Sequence, residues 1–142
     1  METKDKTVIT IESTVDKPVD KVWEFWTKPE HITKWCAASD DWHTPRAEND
    51  VRPGGKFLSR MEAKDGSFGF DFGGTYDIVK TNEQIAYTLG DERKVDIRFS
   101  SNGNTTKVVE TFDAETQNPI DMQRAGWQAI LDNFRTYAEA NS

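Results

Sequence analysis

The chain has 142 residues, of which 35% are hydrophobic, 11% aromatic and 30% charged, with a formal net charge of −7. That length suits one domain with one real core, and the aromatic share argues against disorder. Basic residues are interleaved with acids, so the dense positive patch needed by nucleic acid or an anionic membrane is missing.

The segment Met1–Lys6 is charged rather than apolar and does not read as a signal peptide. No run approaches the roughly 18 apolar residues of a membrane span. The single cysteine, Cys36, allows no internal disulfide, which points to a reducing compartment, the cytoplasm.

Thr7 to Val15 is predicted as a strand, with Ile9, Ile11 and Val15 on one face and Thr10, Glu12 and Thr14 on the other. Asp16-Lys17-Pro18 opens a helix whose apolar face carries Val19, Val22, Trp23 and Trp26. A second, short helix starts at Thr27-Lys28-Pro29-Glu30, with Thr27 as cap and Glu30 completing a capping box. Ile32, Trp35 and Cys36 form its apolar side, and the break at Pro29 makes the pair a kinked V. Ala37 to Asn49 is polar and ends in a strand-like stretch that Pro45 confines to an edge or a strand start.

After the turn Arg52-Pro53-Gly54-Gly55, Phe57, Ser59, Met61 and Ala63 alternate with Leu58, Arg60 and Glu62, and Asp65-Gly66 marks a hairpin. Phe68 to Val79 is the next strand. Its alternation places Phe68, Phe70, Phe72, Tyr76 and Ile78 on one buried face, and Gly73-Gly74 suggests a bend or bulge. Ile85, Tyr87 and Leu89 follow, then Val95, Ile97 and Phe99, then a tight turn at Asn102-Gly103. In the last strand, Thr105 to Phe112, Val108, Glu110 and Phe112 share a face.

Asn118-Pro119-Ile120-Asp121 starts a long helix with Asn118 as cap, running to about Ala140. Trp127, Ile130, Leu131, Phe134 and Ala138 make its stripe, flanked by Tyr137. Gly126 costs about 1 kcal/mol in a helix interior, which implies a close approach of the sheet there. No repeat, low-complexity tract or linker interrupts the chain. It reads as one domain, residues 1–142, with a core of about 7–140.

Strands segregated from helices read as α+β. An aromatic sheet face and a long helix with a matching stripe pack economically with the helix across the concave face. Here the motifs become specific. Pro18-Val19-Asp20-Lys21-Val22-Trp23, Thr27-Lys28-Pro29-Glu30-His31-Ile32 with Trp35, Val51-Arg52-Pro53-Gly54-Gly55-Lys56-Phe57, Gly74-Thr75-Tyr76-Asp77-Ile78, and Gly126-Trp127 with Leu131 occur in order. Together they resemble the START-like (SRPBCC) superfamily, in the branch similar to the activator of the heat-shock-protein 90 ATPase. The resemblance implies the helix-grip fold, a curved antiparallel sheet around the C-terminal helix with a cavity between them. Members of that superfamily include ligand carriers, polyketide cyclases, lipid-transfer domains and co-chaperone domains, so fold alone does not fix function.

Nucleophile-elbow, P-loop and Cys-x-x-Cys motifs are all missing. His31 and His43 lack a base–nucleophile pairing, and the irregular spacing of Cys36, Asp40, Asp41 and His43 does not suit a metal. No metal or cofactor is expected. Cys36 reads as a small buried hydrophobe.

The expected ligand-binding set is Trp35, Phe57, Ser59, Phe70, Phe72, Tyr76, Tyr87, Ile97, Phe99, Glu110, Trp127 and Ile130. Rings on that face serve as core packing or as cavity lining. Glu110 is either turned outward by a bulge, paired with an edge arginine, or left as a pocket carboxylate with a raised pKa. The leading expectation is a binding module for a small apolar or amphipathic molecule. The alternatives are a cyclase- or hydratase-like enzyme using Glu110 with Tyr87 or Tyr76, and a chaperone-associated interaction domain.

Overall fold

A computed structural model describes residues 7–37, 40–90 and 92–141; the charged Met1–Lys6 segment lies outside them. The chain runs through β1 (Val8–Val15), α1 (Val19–Thr27), α2 (Pro29–Trp35), β2 (Trp42–Asn49), β3 (Lys56–Ala63), β4 (Gly69–Lys80), β5 (Gln84–Leu89), β6 (Lys94–Asn102), β7 (Thr105–Asp113) and α3 (Ile120–Ala140). All seven strands form one antiparallel sheet in the order β1-β7-β6-β5-β4-β3-β2. The fold is the expected α+β helix grip, with α3 running beside β1 and α2 resting on β2.

The alternating residues of the inner face carry the core. Ile9, Ile11 and Val15 meet Val108 and Phe112 across the β1–β7 pair, and Val95, Ile97 and Phe99 continue it on β6. Leu131, Phe134 and Ala138 of α3 are fully buried against this surface. Pro45 lies on β2, an edge strand, where the register shifts between His43 and Arg46 and no ladder bond from its nitrogen is missed.

Strand β4 departs from simple alternation. Its pairing with β5 slips between Tyr76 and Ile78, so one extra residue sits at Asp77 rather than at the glycines. The slip reverses the parity beyond it. Val79 pairs with Ile85 and packs on the core, and Ile78 is turned outward, 38% exposed. At the other end, Phe68 precedes the strand and is 62% exposed. It clusters with Trp42 and Phe70 outside the core, their ring centroids 6.0–6.1 Å apart. The expected continuous aromatic face is therefore buried only in its middle.

Helix termini also differ from expectation. Thr27 does not cap α2; its hydroxyl donates to the Trp23 carbonyl of α1 at 2.8 Å, and Lys28 holds the N-cap position. Asn118 does not cap α3, because Pro119 takes that position and the Asn118 amide donates to Glu115 at 2.6 Å. Phe25, off the expected stripe of α1, is buried and meets His31 and Tyr137 edge-on. Gly126 is not pressed by the sheet: a methyl group there would meet nothing within 4 Å.

Candidate functional site

Between α3, the α1–α2 pair and the inner face of the sheet lies a cavity of about 300 Å³. Space remains because α3 follows the β1 side of the sheet and leaves the curled half from β3 to β5 uncovered. Rings dominate its wall. Phe57 and Tyr87 meet edge-on at 4.6 Å, Phe72 meets Trp127 at 6.0 Å, and Tyr76 closes beside Phe57. Trp35 and Ile130 line the helical side, and Phe70, 39% exposed, lies where the aromatic cluster reaches the surface.

Polar groups are few. Ser59 on β3, Tyr87 on β5 and Glu110 on β7 are buried and line the cavity. None of these three side chains makes a hydrogen bond or ion pair with a described residue. The Tyr76 hydroxyl, by contrast, donates to Asn49 Oδ1, and Asn49 Nδ2 donates to the Thr27 carbonyl at 2.6 Å. This bridge pins the cavity wall to the end of α1.

Glu110 sits in the middle of β7, opposite Ile11 on one side and Ile97 on the other, so no bulge turns it outward. Burial alone raises its pKa from 4.5 to about 8. Burial, and then the nearness of Glu110, push the Tyr87 phenol well above its ordinary range. Cys36 is pushed up to about 11, chiefly by burial, with Thr44 opposing and Glu110 adding. The thiol belongs to the cavity wall, as does Trp26. The cavity thus holds several weak acids in their neutral forms at pH 7.

Ile97 and Phe99 do not line this space. Phe99 packs edge-on against Trp23 and Trp26 at 5.4 and 5.8 Å, so α1 fills that part of the face, and Ile97 is sealed within the core. Sequence reasoning passed over Trp26 and Ile32, whose helical stripes read as plain core, and Met61, which shares the parity of Ser59. Asn49 and Gln123 carried no periodic signal at all. Gln123 is buried by three main-chain bonds: its Nε2 donates to the carbonyls of Glu115 and Asn118, and its Oε1 accepts from the Glu115 N–H. Arg93, Glu48 and Glu115 add charge to the lining.

His31 Nδ1 lies 2.5 Å from the Tyr137 hydroxyl, and its Nε2 lies 3.8 Å from Glu24. His43 lies 3.8 Å from Glu62. Among the described residues no group of three or more His, Cys, Asp or Glu side chains is placed to hold a metal ion. No helix among them is long and apolar enough to cross a membrane.

Residues 16–139 match the family model described as activator of Hsp90 ATPase homolog 1-like protein. The chain belongs to that family. A solution structure of an AHSA1-like protein from Aeromonas hydrophila is 46% identical, with a TM-score of 0.89 over 94% of this chain and 93% of that one. A solution structure from Cytophaga hutchinsonii is 56% identical, with a TM-score of 0.81 over 94% and 92%. A crystal structure from Nitrosomonas europaea, at 18% identity and a TM-score of 0.82 over 95% and 96%, shares the fold. No curated protein matches the sequence. Within this Hsp90-activator-homologue family, the START-like motifs of the chain fall on α1, α2, the turn before β3, β4 and α3.

Proposed function

We propose that the chain binds a small, largely apolar molecule in the cavity between the sheet and α3. One observation carries this reading: a space of about 300 Å³, walled mostly by rings and aliphatic groups, holds three buried polar side chains, Ser59, Tyr87 and Glu110, with no hydrogen-bond partner among the described residues. A volume at the lower end of small-molecule pockets suits a compact guest. Burying its apolar surface is worth about 25 cal/mol per Å². The START-like fold often serves hydrophobic ligands, which supports the same reading. The net charge of −7 and the lone cysteine support a cytoplasmic protein that works without nucleic acid.

Native mass spectrometry of freshly purified protein, followed by titration with planar apolar ligands, tests the proposal. Guests should quench tryptophan fluorescence and shift amide resonances around Phe72. Phe72→Trp should weaken binding more than folding. If a broad panel leaves every signal unmoved, the cavity reading falls. The chaperone interaction named in the family description then becomes the reading to test, by pull-down.

A second reading draws on Glu110 itself, whose pKa of about 8 suits proton transfer near neutrality. In a cyclase- or hydratase-like enzyme, Glu110 would exchange a proton with the substrate while Tyr87 donated to a developing oxyanion. Turnover of a polyketone that is lost in Glu110→Gln would establish it; a ligand recovered unchanged would favour simple binding.

A further inference from the structure

Ser59, Tyr87 and Glu110 stand on three alternate strands and face one apolar space. Each can donate one O–H bond, and none of them makes a hydrogen bond with a described residue. Buried hydroxyl groups without partners are costly in a folded protein, so their persistence points to a polar group supplied from outside.

Glu110 is as buried as the other two. Its neighbours in register, Ile11 on β1 and Ile97 on β6, bring no polar atom. Among the titratable groups, Tyr87 of β5 and Cys36 at the end of α2 are weak acids that Glu110 makes harder to ionise. Tyr76 of β4 is spent on Asn49. From α3, Trp127, Ile130 and Leu131 bring no charge, and Gln123 is engaged with main chain. Arg93, after β5, acts on Tyr87 and Glu115; Glu115 and Glu48 supply the remaining lining charges. No basic side chain offsets the burial of Glu110, so its carboxyl keeps its proton at neutral pH.

We infer that the guest is an uncharged molecule with an apolar body and a carbonyl or ether oxygen that accepts a hydrogen bond from the Glu110 carboxyl group. A carboxylate guest would set a second acid beside Glu110, where Arg93, the basic side chain among the described lining residues, acts on Tyr87 and Glu115 and not on Glu110. An amine guest would have to shed its water and strip the Glu110 proton. The inference rests on the proposed binding function and names its selectivity.

The test is a series with one body: ethylnaphthalene, acetylnaphthalene, naphthoate and naphthylethylamine, each titrated calorimetrically into the intact protein. Acetylnaphthalene should bind about tenfold more tightly than ethylnaphthalene, the size of one good net hydrogen bond. That preference should vanish in Glu110→Leu and survive in part in Glu110→Gln, which keeps a donor. In the wild type it should hold at pH 6 and fade as pH rises through about 8, where the donating proton is lost.

Equal binding of the ethyl and acetyl compounds would overturn the inference while leaving the binding function standing. Tightest binding of the amine or of naphthoate would overturn it as well. If none of the four binds, both readings fall. The wild-type series decides the matter even if Glu110→Leu does not fold.

Discussion

The Trp127 indole lies flat on Phe112, with ring centroids 3.9 Å apart and planes 12° from parallel. One face of Trp127 is thus committed to the core, and the rest of the ring walls the cavity and meets Phe72. Phe134, about two helical turns further on, is completely buried. Phe134→Ala should cost about 3–5 kcal/mol. Trp127→Ala, which empties wall as well as core, should cost less, about 2 kcal/mol, and should weaken ligand binding. Urea denaturation of both variants measures the difference. Equal losses would place Trp127 in the core proper.

Glu110 gives stability a pH dependence of unusual sign. In the unfolded chain it releases its proton near 4.5, and in the folded protein near 8. Between those values the folded protein holds one proton more than the unfolded, so stability falls as pH rises through that window. The slope from this group is at most about 1.4 kcal/mol per pH unit, and it levels off above pH 8. Glu110→Gln should remove this component. Thermal melts from pH 5 to about pH 9 test it; parallel curves for wild type and variant would show that Glu110 does not titrate in the cavity.

Cys36 should be a slow thiol. The thiolate is the reactive form, and a pKa of about 11 in place of 9.0 leaves about a hundredfold less of it at pH 8. Reaction with a disulfide reagent should be slower than that of a free thiol by about that factor. A cavity ligand should slow it further. Reaction at the free-thiol rate would place the sulfur outside the cavity wall.

Gly126 sits within α3 with open space where a side chain would be. Gly126→Ala should therefore stabilise the protein by about 0.5–1 kcal/mol, through helix propensity and a less flexible unfolded chain. A lower melting temperature would mean that another element closes on that position.

Much of the fold was legible because antiparallel strands announce themselves by period-2 burial. The inward face of Ile9, Ile11, Val108 and Phe112 could be read from parity alone, and the same parity sent Glu110 inward. Parity failed where one residue was inserted. Nothing in Tyr76-Asp77-Ile78 marks the bulge, which arises from the pairing of two strands rather than from either one. The caps failed for a local reason. Thr27 and Asn118 spend their side chains on partners four and three residues back, the Trp23 carbonyl and the Glu115 carboxylate. The cavity wall was half visible: the strand residues followed from alternation, whereas Phe99 was excluded by α1 rings that approach from a distant part of the sequence.

Gln123 hydrogen-bonds the segment between β7 and α3 through main-chain atoms, those of Glu115 and Asn118. At that contact the path of the segment is registered by position, while the Glu115 carboxylate braces it from within by accepting from the Gln117 and Asn118 N–H groups and from Asn118 Nδ2. Exchanging Thr116 or Gln117 for other residues leaves the three bonds available. Inserting or deleting one residue there would move a carbonyl out of reach and release the segment from the helix. Between Glu115 and Asn118 this stretch is thus open to sequence drift and closed to changes of length.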